Sequence, residues 1–216
     1  MIDTAQKLFL SQGYPATTMD QIAAGAGVAV QTVYYTFKTK GNLLSEVVDV
    51  TAAGEDDALP AMQRPWAQDM LAATSAQRIL ALGTEHGTGI YERVAHLWPA
   101  VSAAAAVDPA VADYWRSVTA GRRAGQGTMV RRIAQLGALR PELDPDRAAD
   151  LVHLLAGHDP YRALVMEAGW PVSMFKAWVF CTLAQQLLPS QDWDPAATAD
   201  LSFGTLPFGT ACGERV

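Results

Sequence analysis

Over the first fifty residues, apolar positions recur every three or four residues in short runs closed by glycine. Ile2, Ala5, Leu8 and Phe9 fall on one helical face, and Gly13 stands where a left-handed residue would end the helix. Thr18-Met19-Asp20-Gln21 has the capping-box spacing, in which threonine and glutamine satisfy each other's free backbone donors. The helix it starts buries Ile22, Ala23 and Ala26, and Gly27 then turns the chain. A third helix begins almost at once, with Val33 and Phe37 inward and Val30, Gln31, Thr32, Tyr34, Tyr35 and Thr36 around its outer sides. The pattern predicts helices at about 2–12, 19–26, 30–36 and 41–53.

After Gly54 the acidic run Glu55-Asp56-Asp57, then Pro60 and Pro65, marks a break. Beyond it, Asp108-Pro109, Asp144-Pro145, Asp159-Pro160 and Asp194-Pro195 pair an N-cap carboxylate with a proline suited to the first helical position. Thr74-Ser75-Ala76-Gln77 offers a second capping box. Helices are expected at about 75–97, 109–137, 145–156, 160–168 and 172–188, with bends where Gly83, Gly87, Gly89, Gly121, Gly125 and Gly127 interrupt the two longest. No hairpin signal occurs, so the fold class is all-α. The expected organisation is an N-terminal unit over 1–50, a larger helical unit over 51–189 and a loosely ordered tail over 190–216, where Pro195, Gly204, Pro207, Gly209 and Gly213 gather.

Composition narrows the function. Half of the 216 residues are apolar and 18% charged, which excludes a chain disordered throughout. The longest apolar candidate, from Leu97 to Val107, contains Pro99 and falls short of the roughly 18 residues a membrane span needs. The N-terminus has neither a secretory nor a transit build, so the cytoplasm is expected. Cys181 and Cys212 cannot make a disulfide framework, and no structural disulfide is expected. His86 and His96, or His153 and His158, lack the i, i+4 spacing of a helical metal site, so no metal or other cofactor is expected. There is no Gly-x-Ser-x-Gly and no nucleotide fingerprint, and Cys181 has only Lys176 as a basic neighbour in sequence, so no catalysis is expected. A net charge of -6 argues against nonspecific coating of nucleic acid but not against a reader with one small DNA-facing surface.

Two short helices joined by a glycine turn, the second showing small polar and aromatic groups, suit either a major-groove reader or a solvated helix hairpin. Gln and Thr can address base edges, Val a thymine methyl, and Tyr and Lys phosphates. The stretch from Gly13 through Thr18-Met19-Asp20-Gln21-Ile22-Ala23, then Ala26-Gly27-Val28, then Thr32-Val33-Tyr34-Tyr35-Thr36-Phe37-Lys38-Thr39-Lys40-Gly41-Asn42-Leu43-Leu44, closely resembles the helix-turn-helix DNA-binding domain of TetR-family transcriptional regulators. The resemblance implies a homodimeric repressor whose third helix reads a double-stranded operator, followed by a helical effector-binding and dimerisation domain. It places Thr17 and Thr18 near a phosphate and Val30, Gln31 and Thr32 against bases. Tyr34, Tyr35 and Thr36 would meet the backbone or base edges, and Lys38 and Lys40 would anchor phosphates. Two departures stand out: the chain starts inside the first helix, without the usual basic arm, which suggests a truncated start, and Ala29 replaces a common serine cap.

The remainder resembles TetR-family C-terminal domains more weakly, through Arg64-Pro65-Trp66 and Tyr161 to Trp170. Trp66, Met70, Trp98, Tyr114, Trp115 and Met129 are candidates to line a pocket for a small apolar or aromatic effector. The helix near 172–188 is apolar nearly all round, so a homodimer interface is expected from Phe175, Trp178, Val179 and Leu183, helped by Leu151 and Leu155. The expected function is a ligand-responsive repressor of a palindromic operator; the alternative is a small-molecule sensor or scaffold that has lost DNA binding.

Overall fold

Local caps and one glycine break shape the N-terminal helices. The structure is a computed structural model and describes residues 1–54, 61–189, 197, 199–201 and 203. Its α-helices are α1 (Ile2–Ala16), α2 (Met19–Ala26), α3 (Val30–Phe37), α4 (Lys40–Ala53), α5 (Pro65–Ala72) and α6 (Ala76–Val94). They continue with α7 (Trp98–Ala105), α8 (Pro109–Gln135), α9 (Pro145–Leu155), α10 (His158–Tyr161) and α11 (Val172–Leu187). No strand occurs among the described residues. Gly13 takes φ 80° and ψ 167°, which interrupts α1 where a glycine was expected to close it. Thr18 and Gln21 form the expected capping box of α2, and Gly27 at φ 68° closes it in the left-handed conformation.

Several expectations are corrected. The short helices α5 and α7 were not anticipated, because Pro65 and Pro99 read as interruptions; each stands in a first helical turn, where a missing N–H loses nothing. Ser75 rather than Thr74 caps α6, accepting from Arg78 N at 3.1 Å. Asp108 and Asp144 cap as expected, accepting from Ala110 N at 3.0 Å and from Asp146 N at 2.9 Å. Asp159 does not: α10 starts at His158 behind Gly157 and passes into a π-helical turn over Arg162–Glu167. The long helices α6 and α8 run unbroken through their glycines. At Gly83 a Cβ would stand 2.6 Å from Met129 Sδ, so the glycine permits the close approach of the two helices there.

The chain forms two compact units. One holds α1–α4, α7 and α8 up to Ala120; the other holds α5, α6 up to Glu92, α8 from Gly121, and α9–α11. The core of the first joins Ala5, Phe9, Ile22, Val33, Leu43 and Leu44 to Leu97, Val101, Ala104 and Val111. In the second, Ile79, Leu80, Ile133, Val152, Phe180 and Leu187 are buried. Cys181 is disulfide-bonded, which overturns the expectation of no structural disulfide. Cys212, the acidic run 55–57, Asp194-Pro195 and most of the expected tail lie outside the described residues. Within the tail segment, Ala197 is buried, Asp200 makes a two-point ion pair with Arg78 at 2.6 and 2.8 Å, and Phe203 meets Phe180 edge-on at 5.5 Å.

Candidate functional site

The outward face of α3 is held from beneath. Val33 is fully buried, and Phe37 and Val30 are partly buried against the same core, so Val30 is less available than its sequence position suggested. Gln31, Thr32, Tyr34, Tyr35 and Thr36 are exposed, Tyr35 to 80% and Tyr34 to 49%. The Thr36 hydroxyl turns back to donate to Thr32 O at 2.9 Å. Ala29 makes no side-chain cap, as its residue type requires.

Just past α3 the backbone is strained. Lys38 takes φ 66° and ψ -51°, and Thr39 N donates to Phe37 O at 2.8 Å, which makes residues 37–39 a γ-turn with positive central φ. The turn sets Thr39 to cap α4, its hydroxyl accepting from Asn42 N at 3.0 Å. The Lys38 ammonium lies 4.8 Å from the Tyr35 ring centre and donates to Tyr35 O at 2.5 Å.

Behind this surface is a clamp that sequence reading missed. Lys40 Nζ donates to Tyr14 O at 2.7 Å and Thr17 O at 2.8 Å and sits 4.2 Å from the Tyr14 ring centre. Burial lowers the Lys40 pKa, and the Asp108 carboxylate partly opposes it. The Tyr14 hydroxyl donates to Asp108 Oδ2 at 3.0 Å; burial first, then this carboxylate, raises its pKa and keeps it a donor. Thr17 is fully buried, and its hydroxyl donates to Gly13 O at 2.8 Å, which takes its side chain away from any phosphate. Thr18 remains exposed at the α2 N-terminus. The clamp joins residues up to 94 positions apart, so no local signal reveals it.

Residues 1–47 match the family model described as bacterial regulatory proteins, tetR family. That stretch, from α1 into α4, is therefore similar to the N-terminal region of TetR-family regulators. TetR-family solved structures also share the chain's overall fold. One is SmeT, the repressor of the Stenotrophomonas maltophilia multidrug efflux pump SmeDEF, whose triclosan complex aligns at TM-score 0.67 and 18% identity over 95% of this chain and 96% of that one. FadR from Bacillus subtilis in complex with stearoyl-CoA aligns at TM-score 0.66 and 16% identity, over 86% of this chain and 96% of that one. A TetR transcription regulator from Haloarcula marismortui aligns at 0.63 and 14%, over 87% and 96%. At these identities the likeness is one of fold. No curated protein matches the chain in sequence. Among the described residues no helix is long and apolar enough to cross a membrane.

The six candidate pocket residues divide between the two units. Trp98, Tyr114 and Trp115 pack on the core of the first unit, where the two indoles stand 4.1 Å apart and Tyr114 donates to Asp49 at 2.7 Å. Trp66, Met70 and Met129 belong to the second unit, with Met70 and Met129 buried and Trp66 stacked on His86 at 4.9 Å. The reason is that α8 divides its length between units, which periodicity cannot show. Of the candidate interface residues, Phe175, Val179 and Leu183 are buried within the chain, at 1%, 0% and 1% exposure. Leu151, Leu155 and Trp178 stay partly exposed, and Leu154, not singled out from sequence, is 65% exposed.

Proposed function

We propose that the protein is a ligand-responsive transcriptional repressor that binds an approximately palindromic operator as a homodimer and is released by a small molecule with an apolar or aromatic body. The observation that carries this reading is the α3 face, where Gln31, Thr32, Tyr34 and Tyr35 stand free of the core while Val33 holds the helix down. Gln31 and Thr32 address base edges, and the two tyrosines meet base edges or the sugar-phosphate backbone. Thr18 and the α2 N-terminus receive a phosphate, as do Lys38 and the one Lys40 N–H not given to a carbonyl. Residues 1–50 supply this surface, and residues 51–189 supply effector binding and dimerisation in the cytoplasm.

Exposed Leu154, with Leu151 and Leu155 on α9 and Trp178 on α11, supports a twofold interface. Such a dimer presents its α3 helices about 34–36 Å apart, one turn of the duplex. Ligand complexes of TetR-fold neighbours, triclosan for SmeT and stearoyl-CoA for FadR, support the effector. The test is selection of bound duplexes from random DNA, followed by fluorescence anisotropy across a salt series and light scattering of the free protein. The reading expects an enriched palindrome, affinity falling steeply with salt and a dimeric mass. A dimer that enriches no sequence supports instead a sensor without DNA binding.

A further inference from the structure

Inside the second unit, Arg122 on α8 has no carboxylate within ion-pair distance among the described residues. Its Nη1 donates to the Tyr91 hydroxyl at 2.5 Å, and its Nη2 lies 3.3 Å from His153 Nε2. The Arg122 Nε is buried and has no hydrogen-bond partner among the described residues. The guanidinium carbon lies 5.7 Å from the Tyr91 ring centre.

Both of its partners are neutral. His153 Nδ1 lies 2.9 Å from Gln126 Oε1, an acceptor, so Nδ1 carries the proton and Nε2 is left to accept from Arg122. Burial, then the charges of Arg122 and Arg123, lower the His153 pKa and favour this uncharged form. Burial likewise raises the pKa of Tyr91, which stays a phenol. Carboxylates of the same unit are engaged with other cations: Asp150 with Arg123, Glu85 with Lys176, Glu167 with Arg162 and Asp200 with Arg78. Asp159, largely exposed, pairs with His158. A partly buried guanidinium among neutral groups has lost solvation without gaining a counter-charge, which an incoming anion restores.

What adjoins this charge is aromatic. The Tyr91 ring lies 5.8 Å from Tyr161, Tyr161 meets Phe175 edge-on at 5.3 Å, and Phe175 lies 5.9 Å from Trp178. A chain of rings thus leads away from the cation. Nε–H with a neighbouring Nη–H is the planar pair that a carboxylate accepts side-on.

We propose that Arg122, seated between Tyr91 and His153, is the anchor of a binding site for a small aromatic carboxylate, its carboxylate on the guanidinium and its ring system along Tyr91, Tyr161 and Phe175. That this ligand is the effector rests on the regulator reading above; that it binds does not. Calorimetric titration of the full chain with 2-naphthoate, the isosteric 2-naphthamide and 2-naphthylmethylamine tests the site. The carboxylate is expected to bind at least about tenfold more tightly than the amide and the amine weakest of all. In Arg122→Gln the preference for carboxylate over amide should vanish while amide affinity stays within about twofold. The wild-type ratios stand even if that variant folds poorly. Equal or better binding of the amide, an unchanged preference in a folded Arg122→Gln, or no binding of 2-naphthoate at about 1 mM overturns the site. If 2-naphthoate binds as expected and operator affinity does not change, the site stands and the regulator reading loses its effector.

Discussion

In the N-terminal unit, Gln31, Thr32, Tyr34 and Tyr35, all able to make directional hydrogen bonds, stand exposed on α3 over a core of Phe9, Ile22, Val33 and Leu43. In the second unit comparable groups lie inside: Thr84, Thr88, Tyr91, His158 and Lys176 are all buried. On the function proposed above, the difference follows from what each surface would meet. A groove reader must present donors and acceptors to base edges and needs only an apolar floor to hold them in register. A site for a small molecule works by enclosure, so its polar groups are withdrawn from water and depend on one another. Substitutions should therefore affect stability in the second unit where they affect recognition in the first.

The sharpest break of that contrast is at Lys176, whose ammonium donates to Glu85 at 2.7 Å with side chains only 7% and 20% exposed. Lys176→Met should cost about 3 kcal/mol in chemical denaturation by removing the buried cation that the Glu85 carboxylate accepts from, and adding Glu85→Leu should recover most of it. Additive losses in the double variant would show that the pair is not the unit of stability.

Glycines compare the two interiors at the next scale. At Gly41 a Cβ would stand 2.6 Å from Asp108 Oδ2 and 3.0 Å from Val111 Cγ2, and Asp108 is already held by Tyr14 and Ala110 N. At Gly83 it would meet the flexible Met129 thioether. Gly41→Ala should destabilise by about 1–3 kcal/mol, whereas Gly83→Ala should be near neutral, because about 1 kcal/mol of helix propensity offsets the displaced sulfur. Melting temperatures of the two variants check the order, and a larger loss for Gly83→Ala contradicts the packing account.

Lys38, just past the exposed face of α3, sharpens the comparison. Relieving its positive φ with Lys38→Gly should stabilise by about 1 kcal/mol while weakening all DNA sequences alike, since the proposed phosphate contact goes with the charge. A destabilised variant would mean that the stacking of Lys38 on Tyr35 outweighs the strain.

The smallest effect is on pH. Burial is the main cause lowering both His153 and His158 below the ordinary histidine value; Arg122 and Arg123 add to it at the first and Arg122 and Arg162 at the second. Asp150 opposes the shift at His153, as Asp159 does at His158. The unfolded chain then binds more protons than the folded one just below about pH 6.5, so stability present above that pH is lost as pH falls. Melting should drop between about pH 7 and 5.5, and His158→Gln should flatten the slope. A melting temperature that rises on acidification contradicts the neutral assignment of both rings.

The parts of this molecule legible in sequence are those whose causes lie within a few residues. Thr18 and Gly27 announce the two ends of α2 because caps act over one turn, and the α3 face follows from Val33 and Phe37 four apart. Pro65 and Pro99 misled because proline breaks a helix interior but begins a helix equally well. The clamp of Lys40, Tyr14 and Asp108, and the meeting of Tyr91, Arg122 and His153, depend on tertiary contact between distant positions. Aromatic content alone likewise grouped Trp98 and Trp115 with Trp66, although the first two pack on the core of the first unit.

The central claim is that the exposed face of α3 reads bases. Its most direct test is the affinity of wild type and Gln31→Ala for the selected operator and for every single base-pair variant of it. Wild type should lose about 1–3 kcal/mol at one or two base pairs in each half-site, and Gln31→Ala should lose that discrimination there alone, with its melting temperature unchanged. A uniform loss across all the duplexes, with discrimination intact, would contradict it.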